Sequence, residues 1–334
     1  MIYGSILTTE GPHDGMPVKR LEINTNYQTP VTRLTFTYPY QSVFYIGQTV
    51  QAYIIDDRGE TRSTKMFTGK IKSVIRRRPE NTFEFMAQDV LTYAVEHWFV
   101  PTSIDSPSFT RSNINHLELT KDILNEASIA DADIIDDWSP YPTFQFATGP
   151  EPVKINIASA WDVISGICAI TGMHVYADAD GKVHLSRILD EPGTTISHNF
   201  FTGNTGNMKT VELTRSDENL RNKVAVFGRS GVSATASATS PYVPAGFYKT
   251  AIISYEMIDT NEMAQQTADI NLARLNKLTQ SCIVEVLGNV SILARQTANI
   301  VDSKIDLSGD WFVYQVAHRV DVQGGYTIRL TARK

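Results

Sequence analysis

The sequence is poor in cysteine and has no long apolar run. Its 334 residues include only two cysteines. Cys168 and Cys282 each lie among aliphatic residues, where free cysteine behaves as a small hydrophobic side chain, so we expect two reduced core thiols and no disulfide framework. No segment approaches the roughly 18 apolar residues that a membrane span requires, and no apolar targeting segment stands at the N-terminus. These absences predict a protein made in the cytosol, without a membrane anchor.

Basic clusters are also scarce. The formal net charge is −6, and the one basic run is Arg76-Arg77-Arg78. A surface that binds nucleic acid needs a concentration of lysine and arginine that this chain lacks. Short charge runs usually lie on solvated faces. We therefore interpret the triplet as an exposed strand end, with a phosphate-binding patch as the alternative.

Common catalytic and metal-binding signatures are missing. The sequence has no Gly-x-Ser-x-Gly elbow, no phosphate-binding loop with Lys and Ser/Thr, and no Gly-x-Gly-x-x-Gly after a strand. None of its histidines has the His-x-x-x-His spacing that places two metal ligands on one helix face. The seven are His13, His97, His116, His174, His184, His198 and His318. His174 and His184 could meet across a hairpin, but without a third ligand the pattern favours two exposed strand residues.

Clustered carboxylates could in principle serve a hydrolase or hold a hard cation. They occur at Asp56-Asp57, at Asp131-Ala132-Asp133 and at Asp136-Asp137, all in turn-like stretches where Asp is common for backbone reasons. Asp178-Ala179-Asp180-Gly181 resembles the start of a calcium loop but lacks its later glutamate, so a hairpin turn is favoured. We predict no catalytic, cofactor-binding or metal-binding residue and no enzyme activity, although a triad assembled from distant residues stays open.

What the sequence does contain is a strand-rich N-terminal hundred residues. An apolar share of 42% is typical of a folded protein. Five segments alternate polar with apolar or aromatic residues, the period of a sheet with one buried face. They are 19–24, 33–38, 49–55, 69–74 and 82–87. A turn is predicted at 56–60. Residues 1–100 are therefore predicted to form a small β-barrel or sandwich.

Helical spacing marks the middle of the chain. Helices are predicted over 88–97, over 119–127 and over 158–171, the last capped by Ser159 and ended by Gly172. A hairpin follows over 173–185. Loops rich in proline, serine and glycine at 101–107 and 140–152 separate these elements. Residues 101–207 are predicted to be an α+β insert.

The C-terminal third returns to strands. Strands are predicted at the five segments 209–214, 223–228, 281–287, 310–320 and 325–332. A helix over 261–278, capped by Thr260 or Asn261, is the longest. Residues 230–240 are small and polar, which predicts a mobile surface loop. The whole chain is therefore α+β and β-dominated, with a second β domain over 208–334.

Several short motifs resemble those of the hub proteins of phage tail baseplates. At the C-terminus, Gly309–Val320 followed by Gly324–Leu330 is similar to that family's closing hairpin, with its aromatic, Val-x-His and Gly-Gly-Tyr positions. Phe44–Val50, Phe67–Ile71 and Ala87–Asp89 are similar to its first barrel. In the middle, Ser159–Ile164, Asp180–Val183 and Leu220–Val224 look like the insert and the entry to the second barrel. The resemblance extends, in order, over nearly the whole chain.

The resemblance implies a non-enzymatic homotrimer located in the virion, at the baseplate of the phage tail. Two tail-tube-like β-barrels per subunit would form a pseudo-sixfold ring that joins the six-fold tail tube to the three-fold central spike, in contractile tails and related injection machines. The implied partners are a tail tube or tube-initiator protein, the central spike protein and other baseplate subunits. A cell-wall enzyme would be a separate protein. An acidic lumen would let DNA pass by repulsion.

Two other functions stay open from the residues alone. A carbohydrate-acting hydrolase would need two carboxylates raised into one pocket. A host-glycan-binding tail protein would need exposed aromatic side chains in a groove. The tryptophans Trp98, Trp138, Trp161 and Trp311 are candidates, but Trp161 and Trp311 occupy positions that face the core of their elements.

Overall fold

The computed structural model describes most of the chain. The described residues are 2–8, 16–26, 29–39, 44–56, 62–78, 82–101, 107–139, 141, 143–148, 151–187, 192–202, 206–277 and 279–334. Except for Asp56, the predicted turn at 56–60 lies outside them. Most of the predicted loop at 101–107 and His13 lie outside them as well.

A thirteen-stranded sheet is the largest element of the fold, and it draws strands from both ends of the chain. Its strands are β1 (Ile2–Thr8), β2 (Met16–Val18), β3 (Arg20–Asn26), β4 (Arg33–Tyr38), β5 (Thr49–Asp56), β6 (Arg62–Arg77), β7 (Thr82–Gln88), β17 (His198–Phe201), β18 (Met208–Ser216), β22 (Thr279–Leu287), β23 (Thr297–Val301), β24 (Asp310–Asp321) and β25 (Gly325–Arg333). The order along the sheet is β18-β22-β25-β24-β3-β4-β7-β6-β5-β1-β2, and β23 joins β17 to β24. We call these residues, 2–88, 192–216 and 279–334, the sheet unit.

The period-two patterns account for most of the sheet unit. Along β4 and β25 buried residues alternate with exposed or half-buried ones, as a sheet with one covered face requires. The buried side chains form one hydrophobic cluster, to which strands near both ends of the chain contribute. β1 also lies against β24 and β25, so the sheet curls around this cluster. The predicted α+β, β-dominated fold class is confirmed.

The remaining described residues form smaller sheets and four helices around a second cluster. We call 89–187 and 219–277 the middle unit. The helices are α1 (Thr92–Glu96), α2 (His116–Glu126), α3 (Ala160–Thr171) and α4 (Asn261–Leu275). The strands are β8 (Trp98–Phe99), β9 (Phe109–Arg111), β10 (Ile114–Asn115), β11 (Ile134–Asp137), β12 (Gln145–Phe146), β13 (Val153–Ile155), β14 (Ala158–Ser159), β15 (Met173–Ala177), β16 (Val183–Arg187), β19 (Lys223–Phe227), β20 (Ser233–Ser237) and β21 (Thr250–Ser254).

Capping residues fix the ends of α3. The Ser159 side chain accepts a hydrogen bond from the Asp162 backbone N–H, and the Asp162 carboxylate accepts from the Ser159 N–H, which completes a capping box. Gly172 ends the helix with a left-handed φ of 73°, a conformation that glycine adopts without steric cost. The predicted cap and stop of this helix are both confirmed.

The N-terminal boundary of α1 differs from the prediction over 88–97. Only Thr92–Glu96 is helical. The Asp89 carboxylate accepts hydrogen bonds from the Thr32 N–H at 2.6 Å and the Leu91 N–H at 3.0 Å, which holds residues 89–91 in a turn before the helix. Burial raises the pKa of Asp89 to about 7.

The stretch 230–240 is not the loop that its composition predicts. It contains β20, which pairs antiparallel with β19. Ala234 and Ala236 face the second cluster, where α4 packs against the sheet. Small side chains permit this close approach of α4 to β20. A segment that lacks large apolar residues can therefore still pack, because the helix lies directly on its backbone. Residues 223–275 accordingly pack with the middle unit, although the sequence grouped them with the C-terminal strands.

Candidate functional site

A cluster of polar side chains lies on the β15–β16 hairpin and the adjoining strand β11. His184 on β16 contacts two carboxylates: its Nδ1 lies 2.6 Å from Asp137 Oδ2 and its Nε2 lies 3.0 Å from Asp178 Oδ2. The His184 ring stacks on Tyr176 with centroids 4.8 Å apart and planes 4° apart. The register of the hairpin brings about this contact, because Tyr176 and His184 are cross-strand partners.

Sequence reasoning identified the hairpin but not this cluster. His174 lies opposite Ser186 rather than His184, and its ring stacks on Tyr176 at 5.5 Å. Both histidines are half-buried rather than exposed. Asp137 joins the cluster because β11 pairs in parallel with β16. That pairing brings together residues that are 47 positions apart, and no local sequence pattern predicts it.

The other predicted carboxylate positions have structural partners. Asp133 pairs with Lys182 at 2.7 Å, and Asp131 accepts a hydrogen bond from the Asn125 side chain. Asp178 Oδ1 accepts from the backbone N–H groups of Asp180 and Lys182, and Gly181 has a φ of 83°. The predicted hairpin turn at 178–181 is therefore confirmed. Within the described ranges, no group of three or more His, Cys, Asp or Glu side chains is arranged to hold a metal ion.

Two further histidines are buried in the two cores. His116 Nδ1 accepts the Phe144 N–H at 3.1 Å, and its ring meets Trp138 edge-on at 4.6 Å. His318 Nδ1 lies 2.7 Å from the Tyr326 hydroxyl. Desolvation lowers the pKa of each imidazole to about 4. Both rings are therefore neutral near pH 7 and pack as core side chains.

The basic triplet and Cys282 take the places predicted for them, and Cys168 is half-buried at the edge of the second cluster. Arg76 and Arg77 end β6, and Arg77 forms two hydrogen bonds with Glu84, at 2.9 and 3.0 Å. Both cysteines are free thiols. Desolvation raises the pKa of Cys282 to about 12, which removes thiolate reactivity at neutral pH.

The tryptophans divide between core and surface. Trp311 and Trp138 are buried, and Trp161 is half-buried. Trp98 is 54% exposed. Further exposed aromatic side chains lie in or beside the β19–β21 sheet; these are Phe227, Tyr242, Phe247 and Tyr248. Among the described residues, none of the helices combines the length and hydrophobicity needed to span a lipid bilayer.

Solved structures with the same fold are phage-tail and secretion proteins. A tail protein of Neisseria meningitidis matches with a TM-score of 0.74 and 12% identity, over 100% of this chain and 96% of that one. The 43 kDa tail protein of a Shewanella oneidensis prophage matches with a TM-score of 0.69 and 14% identity, over 99% and 98%. An Escherichia coli component of the type VI secretion system, described as structurally similar to tail proteins of bacteriophage T4, matches with a TM-score of 0.57 and 10% identity, over 98% and 76%.

Comparison of the whole sequence with family models and curated proteins gives no match. Identities of 10–14% leave the fold as the shared property. The chain has the fold of these phage tail proteins along its entire length.

Proposed function

We propose that this chain is the structural hub of a phage tail baseplate, where three copies form a pseudo-sixfold ring. The observation that carries the proposal is the similarity of the entire chain to tail proteins of Neisseria meningitidis and Shewanella oneidensis. Closed rings of identical subunits are the usual form of such assemblies. Each of the three subunits would contribute two similar strand-rich portions, so the ring would present six such portions to a six-fold tail tube.

The proposed domain division follows the sheet unit. Strands β1–β7 supply one tube-like portion within residues 1–100, and β18 with β22–β25 supply the other within 208–334. The insert between them, predicted at 101–207, corresponds to residues 89–187 of the middle unit, since β17 pairs with β23 in the sheet unit. Residues 223–275 extend the insert, because β19–β21 and α4 pack on its core.

The proposed partners are a tail tube or tube-initiator protein on one side of the ring and the central spike protein on the other. Further baseplate subunits would surround it in the virion. The shared fold with a type VI secretion component described as similar to bacteriophage T4 tail proteins supports a common adaptor role. We propose a structural subunit without catalytic activity.

Passage of DNA through the ring lumen is part of the proposal. The chain carries a net charge of −6, and an acidic lumen would repel DNA rather than retain it. Replacing acidic lumen residues by neutral ones should slow DNA ejection. Unchanged ejection from such virions would refute the repulsion hypothesis and leave the hub proposal intact.

The first test is the mass of the purified protein in solution. Light scattering over a range of concentrations should give a stable species of about three times the 37.2 kDa chain mass. The trimer should persist on dilution, and electron microscopy should reveal rings. A monomer at every concentration would contradict the hub proposal.

Host-glycan binding is the second candidate, and the exposed aromatic side chains near β21 favour it. Phe247 and Tyr248 are 57% and 53% exposed, and aromatic faces provide apolar contact surfaces for ligands. Titration with purified host-surface polysaccharide should give no heat if the chain is a hub alone. Saturable binding that is lost in Phe247→Ala would support the glycan candidate, and release of reducing ends would indicate a hydrolase.

A further inference from the structure

The turn of the β15–β16 hairpin, residues 178–182, lies against the sheet unit. The Thr68 hydroxyl on β6 donates a 2.7 Å hydrogen bond to the Ala179 carbonyl. The Lys65 ammonium, also on β6, pairs with Asp180. These contacts join the middle unit to the first strands of the sheet unit.

His184 requires two protons on its ring to make both of its contacts. An ionised carboxylate only accepts hydrogen bonds, so each ring nitrogen that lies beside one must donate. Nδ1 faces Asp137 at 2.6 Å and Nε2 faces Asp178 at 3.0 Å. A neutral imidazole has one N–H and can satisfy only one of them. With both carboxylates ionised, the two contacts can be satisfied together only by an imidazolium.

Asp178 transmits this contact to the turn. Its Oδ2 binds His184, while its Oδ1 accepts the N–H groups of Asp180 and Lys182, each at 2.9 Å. Desolvation opposes ionisation of Asp178, but the hydrogen bonds from His184 and the turn outweigh it and lower the pKa of Asp178. The same carboxylate thus anchors His184 and shapes the turn that binds β6.

Other charged and titratable groups surround the cluster. Arg295, which precedes β23 in the sheet unit, lies with its guanidinium carbon 3.2 Å from the Tyr176 ring centroid, so its charge opposes protonation of His184. Asp137 and Asp178 favour protonation. In the Lys182–Asp133 and Lys65–Asp180 ion pairs, the positive charge of the lysine is balanced by the negative charge of the aspartate. The remaining titratable neighbours are His174 and Tyr176 on β15.

We propose that His184 is a proton-operated latch between the two units. When protonated, it ties Asp137 on β11 to Asp178 and holds the 178–182 turn in place against Lys65 and Thr68. When it loses a proton, one ring nitrogen presents a lone pair to a carboxylate, that contact is repelled, and the turn detaches from β6. The latch is a property of one chain and does not depend on ring formation.

Hydrogen exchange as a function of pH tests the latch in the full chain. The exchange rates of the backbone amide hydrogens of residues 178–182 are measured from about pH 5 to about pH 9 and corrected for the pH dependence of amide exchange in an unstructured chain. NMR of the His184 ring protons reports the protonation of His184 over the same range. Protection should fall about tenfold as His184 deprotonates, as expected for loss of a charge-assisted hydrogen bond. In His184→Gln the turn should exchange fast at every pH.

Matched variants separate the latch from general loosening. His174→Gln removes the other histidine of the hairpin and should retain the pH-dependent step. Asp137→Asn should weaken the step while the hairpin still folds. The proposal is overturned if the turn is equally protected on both sides of the His184 titration, if His184 stays neutral throughout the range, or if His184→Gln retains the step.

Discussion

At the residue scale, the histidines illustrate how environment decides a role. His184 lies between two carboxylates, whereas His318 is 3% exposed and its Nδ1 lies beside the Tyr326 hydroxyl, with no carboxylate among its described hydrogen-bond partners. Burial disfavours the charged form of an isolated imidazole, while nearby carboxylates favour it. One side-chain type therefore packs as a core group in one strand and contacts two carboxylates in another.

Acid should destabilise the protein through His318. Desolvation lowers its folded-state pKa from 6.5 to about 4. The unfolded chain takes up a proton near pH 6.5 and the folded chain does not, so stability present above pH 6.5 is lost as the pH falls toward 4. His318→Gln should reduce the loss of unfolding free energy between pH 6.5 and 4, measured by urea denaturation, and the share that comes from His116 should remain. A His318→Gln variant whose loss of stability over this pH range equals that of the unaltered protein would contradict this assignment.

Gly288 should not tolerate even a methyl group. A Cβ there would lie 2.0 Å from the ring of Tyr326, which is buried and bound to His318. Gly288→Ala should therefore lower the free energy of unfolding by about 2 kcal/mol through overpacking. Gly324→Ala is the matched control, because the nearest atom to its Cβ is 3.6 Å away. Similar denaturation midpoints for the two variants would refute the prediction.

At the scale of elements, the termini of α3 are specified locally. The Ser159–Asp162 capping box fixes the start of the helix, and Gly172, in a left-handed conformation, fixes its end. Side chains of α4 add tertiary contacts: Asn271 Nδ2 donates to the Ala169 carbonyl at 3.0 Å and Thr267 to that of Ile170 at 3.2 Å. The last carbonyls of α3 therefore have partners on another helix, as buried backbone groups require.

Loss of the cap should have a modest, measurable cost. Ser159→Ala removes the acceptor for the Asp162 N–H and should lower the unfolding free energy by about 1 kcal/mol. Ser303→Ala, in an exposed turn, should change it by less than about 0.5 kcal/mol. Urea denaturation of the two variants provides the comparison. A fully stable Ser159→Ala protein would indicate that tertiary packing alone fixes the start of α3.

The elements that sequence reasoning identified are those with strong local signals. The alternation in 33–38 and 325–332 and the caps of α3 required no knowledge of distant residues. β20 was missed because its small side chains are informative only once α4 is known to cover them. The His184 cluster was missed for the same reason, since Asp137 arrives through a parallel strand pairing. Local periodicity determines elements, whereas long-range pairing determines which elements meet.

At the scale of the whole molecule, the chain passes repeatedly between the sheet unit and the middle unit. The first hydrophobic cluster includes Ile6 and Ala332, and the second includes Leu91 and Ala268. Neither cluster is built from one continuous stretch of sequence. The two units are therefore mechanically coupled, because the polypeptide backbone links them at each point where the chain passes from one unit to the other.

The isolated insert should therefore fail to fold cooperatively. Residues 101–207 lack α4, which packs on α3 in the full chain, and β19–β21, which belong to the same hydrophobic cluster. We expect weak near-ultraviolet circular dichroism and a broad urea transition for this fragment, while the full chain unfolds sharply. Adding residues 219–277 through a flexible linker should restore cooperativity. A sharp transition in the fragment alone would mean that the C-terminal elements are dispensable for its core.

The pairing of β3 with β24 has a consequence for synthesis. Asn24 and Gln315 hydrogen-bond across 291 positions, so one edge of β3 stays unpaired until β24 has been synthesised and has left the ribosome. Folding that depends on such distant contacts is slow, and strand edges that stay unpaired during folding favour aggregation. A prematurely terminated chain could not complete this sheet. Formation of the sheet is therefore coupled to the synthesis of β24, and a chain that stops before this strand keeps an exposed edge on β3.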